Sequence, residues 1–403
     1  MKRLALAAAL LATAGGLVGA PLAAETHRVE AGEGAAKRLQ EALILAQPGD
    51  VIELGAGRFA LTDGLSLDVD GVTVLGAGMD KSVLDFTGQQ GAGEGLLVTS
   101  DNVTLRGFAL ENPKGDGIKS KGADNIVYDS IRVEWTGGPK STNGAYGIYP
   151  VESAGVLVVG SKVVGASDAG IYVGQSRDIT VRGNLVEYNV AGIEIENSRN
   201  ALVTANIATR NTGGLLVFDL PGLPVMGGGN VIMRNNVVKD NDTPNFAPPG
   251  NIVASVRRGT GVLVMANDGV LIEDNAFEGN ATAHVMVIAY TQPFEDARYN
   301  PHARNVIVGP NAFGRGGDDP QLDNKEALLE AFGGALPPVM WDGIVEDGNG
   351  LMIAEGVTGW SLNLSKPGQS LAEAQPGPLE LTPLKSWEFP EVGAPAELEA
   401  RLK

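Results

Sequence analysis

Gly170-Ile171-Tyr172-Val173, Gly192-Ile193-Glu194-Ile195 and Gly214-Leu215-Leu216-Val217 start 22 residues apart, and their reading decides the fold. Each opens on glycine and then runs apolar, variable, apolar, the alternation of a strand with one face buried. The string recurs at Gly95-Leu96-Leu97-Val98, Gly117-Ile118-Lys119-Ser120, Gly147-Ile148-Tyr149-Pro150 and Gly261-Val262-Leu263-Val264, with glycine spacings of 22, 30, 23, 22, 22 and 47. The long intervals are one period plus an insertion and two periods plus insertions, so the repeat is about 22 residues.

Between these strings lies a second strand, legible at Asn102-Val103-Thr104-Leu105, Asp178-Ile179-Thr180-Val181, Asn200-Ala201-Leu202-Val203, Asn230-Val231-Ile232-Met233, Gly269-Val270-Leu271-Ile272 and Asn305-Val306-Ile307-Val308. Each leads through a corner into a third, shorter strand. Aligned on these segments, one corner column reads Phe108, Ile131, Ser161, Asn184, Asn206, Asn236, Asn275, Asn311. Stacked asparagines at a corner hydrogen-bond coil to coil and satisfy turn backbone groups, so the column reads as scaffold. Ile148, Ile171, Ile193 and Val262 are expected to point inward. The fold class is therefore all-β: a single-stranded right-handed parallel β-helix, with eight or nine coils making a rod of roughly 40 Å.

A rod of strands has two open edges that need covering. Ala36, Leu39, Leu43, Ile44 and Leu45 fall at near-helical spacing within 34–46, and Pro48-Gly49-Asp50 ends the run before Val51, so an N-terminal capping helix is expected. Residues 324–332 read as a short helix, and the Pro-rich stretch to Lys403 as a C-terminal cap or tail. The domain reading is a signal peptide at 1–24, the β-helix with its cap at 25–313, and a C-terminal extension at 314–403.

Lys2 and Arg3, an apolar run from Leu4 to Leu17, and Pro21-Leu22-Ala23-Ala24 make that signal peptide, so the mature chain is expected in the periplasm or secreted. No later window is long and apolar enough to span a membrane. The formal charge of −18 argues against nucleic acid, and with no cysteine the chain must hold together by burial and backbone pairing.

The run from Leu39-Gln40-Glu41-Ala42 through Pro48-Gly49-Asp50 to Leu54 and Gly57 resembles the opening of pectin-lyase-like β-helix proteins. From there to about Phe313, and through Tyr146–Pro150, Ala169–Ser176 and Phe218–Pro224, the coils resemble a family of exported bacterial parallel β-helix-repeat proteins of unassigned role. That resemblance implies export and a gene paired with that of another exported protein, a candidate partner. More distantly, Tyr146–Glu152 followed by Gly170-Ile171 and Gly192-Ile193 is similar to the catalytic stretch of mannuronan C5-epimerases, which reads Tyr-Gly-Phe-Asp-Pro-His-Asp. Tyr146, Gly147 and Pro150 match and Glu152 keeps an acid, but Tyr149 and Val151 stand where that family has Asp and His.

The outward residues of the glycine-led strands form a row: Leu97, Lys119, Tyr149, Tyr172, Glu194, Leu216, Leu263. Insertions at 136–145 and 242–259 enter this face and 219–229 leaves it, so loops are expected to wall a groove along it. Epimerisation and β-elimination on uronic acids need a cation, a base and an acid. Lys119 is the candidate cation and Tyr146 or Tyr149 the acid or base, a tyrosine base requiring a pKa drawn down from about 10. Tyr149, Glu152, Tyr172, Gln175, Glu194 and Asp219 are the candidate polysaccharide-binding residues.

Three readings stay open for this row: a cross-strand aromatic ladder with solvated charges, a sugar-stacking groove, and a catalytic site. Ca²⁺ on Asp168, Glu194, Glu196 and Asp219 is the one cofactor considered. With only His27, His284 and His302, zinc and Ser-His-Asp chemistry lack material. The functional expectation is an exported protein that binds or modifies a polysaccharide. The alternatives are a scaffold for another exported protein and, on a resemblance to the β-helix protein that matures nitrous oxide reductase, a metal-related maturation role.

Overall fold

The computed structural model describes residues 24–91, 93–346, 349–369, 373–379 and 389–403. Of the expected signal peptide all but Ala24 lies outside the described residues. The chain winds as a parallel β-helix, each full coil giving one strand to each of three sheets. The glycine-led sheet runs from Leu65–Leu67 through Tyr146–Val151, Ala169–Gly174, Ala191–Glu196 and Gly213–Phe218 to Gly359–Ser361, with a short antiparallel strand, Gly377–Pro378, on its edge. The flank sheet begins at Thr26–Val29 and ends at Leu351–Ile353, and a sheet of shorter strands runs from Gly57–Ala60 to Ala312–Phe313.

Among the described residues the first two sheets hold twelve strands each. At about 4.8 Å per coil that is a rod on the order of 50 Å, longer than expected from the repeat. One extra coil carries the string unnoticed, at Gly64-Leu65-Ser66-Leu67, whereas the later ones, at Ala283–Ile288 and Val339–Trp341, have no leading glycine. Stacking continues past Phe313, pairing Val285 with Val339, Val306 with Leu351 and Val339 with Gly359.

The repeat works because each column has one steric task. Ile118, Ile148, Ile171, Ile193, Leu215 and Val262 are in register on successive coils and buried, each worth about 1.5–3 kcal/mol. The leading glycine marks a close approach: a Cβ on Gly117, Gly147, Gly192 or Gly214 would lie 2.4–2.6 Å from a carbonyl oxygen of the next coil. The residues that open the flank strands, Asn102, Asp178, Asn200, Asn230, Gly269 and Asn305, all take positive φ (51–73°), a region that Asn, Asp and Gly tolerate best.

The predicted corner column forms a continuous ladder. The Ile131 N–H donates to Ser161 Oγ, and the Ser161 N–H to Asn184 Oδ1. Asn184, Asn206, Asn236 and Asn275 then each donate both backbone N–H and side-chain amide to the Oδ1 of the next, ending at Asn311, at 2.9–3.0 Å. Their amides also donate to Val158, Val181, Val203 and Met233 carbonyls. A second ladder, not read from the sequence, runs five residues further on through Asn189, Asn211, Asn241 and Asn280 and closes on His284 Nδ1.

Helix α1 (Ala35–Leu45) covers the N-terminal coil with Ala35, Leu39 and Leu43, while Ile44 and Leu45 face outward. Helix α2 (Lys325–Ala331) falls where the sequence places it. The extension does more than trail. Helix α3 (Ala396–Ala400) returns to the flank sheet, burying Leu398 against Val127 and Leu157. Arg401 donates to the carbonyls of Asn102 and Asn125 and to Thr104 Oγ1, and Arg182 pairs with Glu399 at 2.9 Å.

Candidate functional site

The outward row assembles in the expected order. Lys119 pairs with Leu97 and Tyr149, Tyr172 with Glu194, Glu194 with Leu216, and Leu216 with Leu263. Tyr149 meets Tyr172 edge-on with ring centroids 5.0 Å apart, and Tyr146 lies 4.5 Å from both. The geometry is that of a packed aromatic cluster.

Exposure along the row departs from expectation. Tyr172 is 4% exposed and Glu194 1%, so neither is a solvated surface group. The 242–259 insertion does not wall a groove but lies across the face as a lid. Val253 and Val256, with Phe246, Ala247 and Ile252, pack over Ala169, Tyr172, Val190, Ala191 and Leu216. The apolar side chains of the insertion cover the apolar part of the row. A second covering segment brings Tyr299, whose hydroxyl donates to the Asp219 carbonyl at 2.6 Å. The row is open before the lid, at Leu97, Lys119 and Tyr149, which are half-buried. Past the lid it reopens as an apolar groove of about 430 Å³ that includes Leu263, Met265, Met286 and Ile288.

Beneath the lid the face carries three buried carboxyl groups. Tyr172 donates to Glu196 Oε1 at 2.6 Å, the Asn251 amide of the lid donates to Asp168 Oδ2 at 3.2 Å, and the Tyr146 hydroxyl also bonds Asp168. Glu194 and Glu196 hydrogen-bond each other, and Glu194 Oε2 is buried with no partner. Loss of water, reinforced by neighbouring negative charge, pushes Asp168 up to about 7 and holds Glu194 well above its ordinary value. Burial likewise raises Glu196, against hydrogen bonds that lower it. Asp116, at the open end, is pushed up to about 6, again by burial first.

The candidate acid–base residues sit in this field. Burial, then the charges of Asp116, Glu196, Glu152 and Asp168, raises the Tyr149 phenol to about 12, and Tyr146 and Tyr172 move higher still. This is opposite to the shift that a tyrosine base requires. Lys119 Nζ stands 5.0 Å over the Tyr149 ring and 3.3 Å from Glu94, so its charge already has an acidic partner.

Glu152 and Gln175 occupy positive-φ corners (57° and 53°) at the strand ends rather than the row. Glu152 is exposed near Lys121 (3.9 Å), and Gln175 is half-buried with Oε1 unpartnered. Asp219 is buried and accepts the Gly227 and Gly228 N–H groups, which shapes its loop. Among the described residues no three His, Asp or Glu side chains converge to hold a metal ion.

The three sheets and the stacked glycine, isoleucine and asparagine columns define a parallel β-helix, and a family model for the right handed beta helix region matches residues 70–221. Among solved structures, the A-module of a mannuronan C-5 epimerase from Azotobacter vinelandii is similar in fold. It aligns with a TM-score of 0.52 at 14% identity, over 82% of this chain and 94% of that one. DFA-IIIase from Arthrobacter chlorophenolicus A6 aligns at 0.49 and 14% identity, over 82% of this chain and 100% of that one. Alginate lyase from a Paenibacillus species aligns at 0.42 and 18% identity, over 72% and 95%. At these identities the likeness is one of fold. No curated protein matches the chain significantly.

Asn251 and Tyr299 entered the site without a signal in the repeat, whereas Glu94 and Asp116 stand, as Tyr146 does, directly before a leading glycine. The sequence offers Asp168 and Glu196 only as Ca²⁺ ligands. Both flank glycine-led strings, Asp168 two residues before Gly170 and Glu196 two after Glu194, so alternation alone places Glu196 on the outward face.

Proposed function

We propose that the protein is exported to the periplasm or beyond, and that it engages a polysaccharide on the open shelf of Leu97, Lys119 and Tyr149 beside the lid. The observation that carries the proposal is the Tyr146, Tyr149 and Tyr172 cluster, half-buried at its outer edge and backed by hydrogen-bonding carboxyl groups. An aromatic edge beside polar groups suits the apolar face and hydroxyl rim of a sugar ring. The fold relative named as a mannuronan epimerase supports a carbohydrate role for such a face.

In this proposal Tyr172 backs the shelf with Glu194 beyond it, Lys119, Tyr149 and Glu152 border the sugar, and Asp219, three coils away, shapes its own loop. If the face also modifies its ligand, Asp168 is the group for proton transfer. Its pKa of about 7 lets it gain and lose a proton near neutrality, and Tyr146 orients it.

The test is binding of the full mature chain to a glycan panel, followed by Tyr149→Ala. Binding that falls at least about tenfold in the variant supports the reading, since one lost ring contact of ~1.4 kcal/mol is a factor of ten. Absence of binding to every glycan overturns it. Catalysis would show as the ultraviolet absorbance of an unsaturated uronate, or as solvent-deuterium uptake into the sugar. Export predicts a mature N-terminus near Glu25 in the periplasmic or extracellular fraction, and an intact Met1 there refutes the cleavage.

A further inference from the structure

We infer that the glycan taken by this shelf is electrically neutral, a polymer of uncharged sugars rather than a polyuronate. The inference rests on the proposed polysaccharide role and specifies its substrate class. A uronan presents one carboxylate per residue, so its site must offer unspent positive charge. Lys119 is the cation of the row, and it is already engaged by Glu94 at 3.3 Å and by the face of Tyr149. The next lysine along that strand, Lys121, lies 3.9 Å from Glu152.

Acids surround the same spot. Asp116, Glu196, Glu152 and Asp168 all act on the Tyr149 hydroxyl. Asp116 accepts the Tyr146 N–H at 3.2 Å, so it is fixed in place beside the shelf. A uronate carboxylate laid on Tyr149 would therefore meet several carboxyl groups and one cation whose charge is spent. A like charge within about 5 Å, at the effective dielectric of a protein surface, costs well over a factor of ten in affinity. The overall charge of −18 adds long-range repulsion of the same sign.

A neutral sugar reverses this balance. Its hydroxyls both donate and accept, so they match phenols and carboxyl groups in either protonation state. The side chains that repel a uronate become hydrogen-bond partners for an uncharged ring.

The experiment compares neutral polymers (β-glucan, inulin, galactomannan) with polyuronates (alginate, polygalacturonate) against the full mature chain at low and high salt. The expected result is neutral-glycan binding at least about tenfold tighter than uronan binding at low salt, with the gap narrowing as salt screens the repulsion. In the Glu94→Gln, Asp116→Asn double variant, uronan affinity should rise about tenfold or more relative to neutral-glycan affinity. Uronan binding equal to or tighter than neutral binding, weakened by Lys119→Met, would overturn the inference and leave the polysaccharide reading standing. An unchanged uronan affinity in the double variant also overturns it. If neither polymer class binds, the polysaccharide reading fails and takes the inference with it.

Discussion

Asn206 and Glu194 are both polar, both buried and both on neighbouring coils, yet their surroundings differ. Asn206 takes two hydrogen bonds from Asn184, gives two to Asn236 and gives a third to the Val181 carbonyl. Glu194 has two carboxyl neighbours, Asp168 and Glu196, and a buried oxygen with no partner. The ladder repeats, so each coil supplies what the next one needs. The acid cluster occurs once, and its partners are the tyrosine hydroxyls of the row and, from outside the repeat, Asn251 of the lid. In a solenoid, a polar group satisfied by its own column is scaffold, and one left to insertions is where specificity can be built.

The comparison breaks most severely at the ladder. Asn206→Ala orphans donors and acceptors on both adjoining coils, and urea unfolding should show a loss of about 3 kcal/mol. A loss below about 1 kcal/mol would mean that the ladder is ornamental. Next comes the pH response of the acid cluster. Asp168 has a folded-state pKa of about 7, above its ordinary value of 3.8, so between these values the folded chain holds a proton that the unfolded chain has released. Its contribution is present in full below about pH 4 and is lost as pH rises through 7, a fall of about 2 kcal/mol from pH 5 to 7. Glu194 and Glu196 act in the same direction. Asp168→Asn should flatten the slope, and an unchanged slope in that variant would show that Asp168 is not its source.

The smallest effect is expected at the lid. Val253→Ala removes two methyl groups from a fully buried side chain, at about 1 kcal/mol. Because the lid is an insertion, the loss should appear as faster hydrogen exchange over residues 245–256 and around Tyr172, with the ladder coils unaffected. Uniform acceleration across all coils would show that the lid and the rod are one cooperative unit.

What could be read in advance follows the same division. The row from Leu97 to Leu263, the inward isoleucines and the first asparagine column are consequences of a fixed period, and each stands where that period places it. The second ladder was equally legible, because Asn189, Asn211, Asn241 and Asn280 repeat the spacings of Asn184, Asn206, Asn236 and Asn275. The burial of Tyr172 and Glu194 was not, because it depends on where an aperiodic segment comes to rest. Phe246, Val253 and Val256 show that the insertion has apolar side chains to bury, but they do not say against what. The expected tyrosine base was misjudged for the same reason. Lys119 is visible on the neighbouring coil, and so is Glu94 directly before Gly95, but the period does not write the pairing of the two.

Repeat proteins whose coils touch only their neighbours tend to fray from either end. Here the last helix is fastened to the flank of the early coils: Arg401 grips the backbone at Asn102 and Asn125, and Glu399 holds Arg182. Peeling the C-terminal rungs beyond that clasp leaves a closed loop of chain, while opening the clasp exposes Leu398 and two flank valine and leucine side chains at the same moment. Melting at one end of the rod is thereby made to register at the other, so a molecule built of short-range contacts acquires a long-range link in its unfolding.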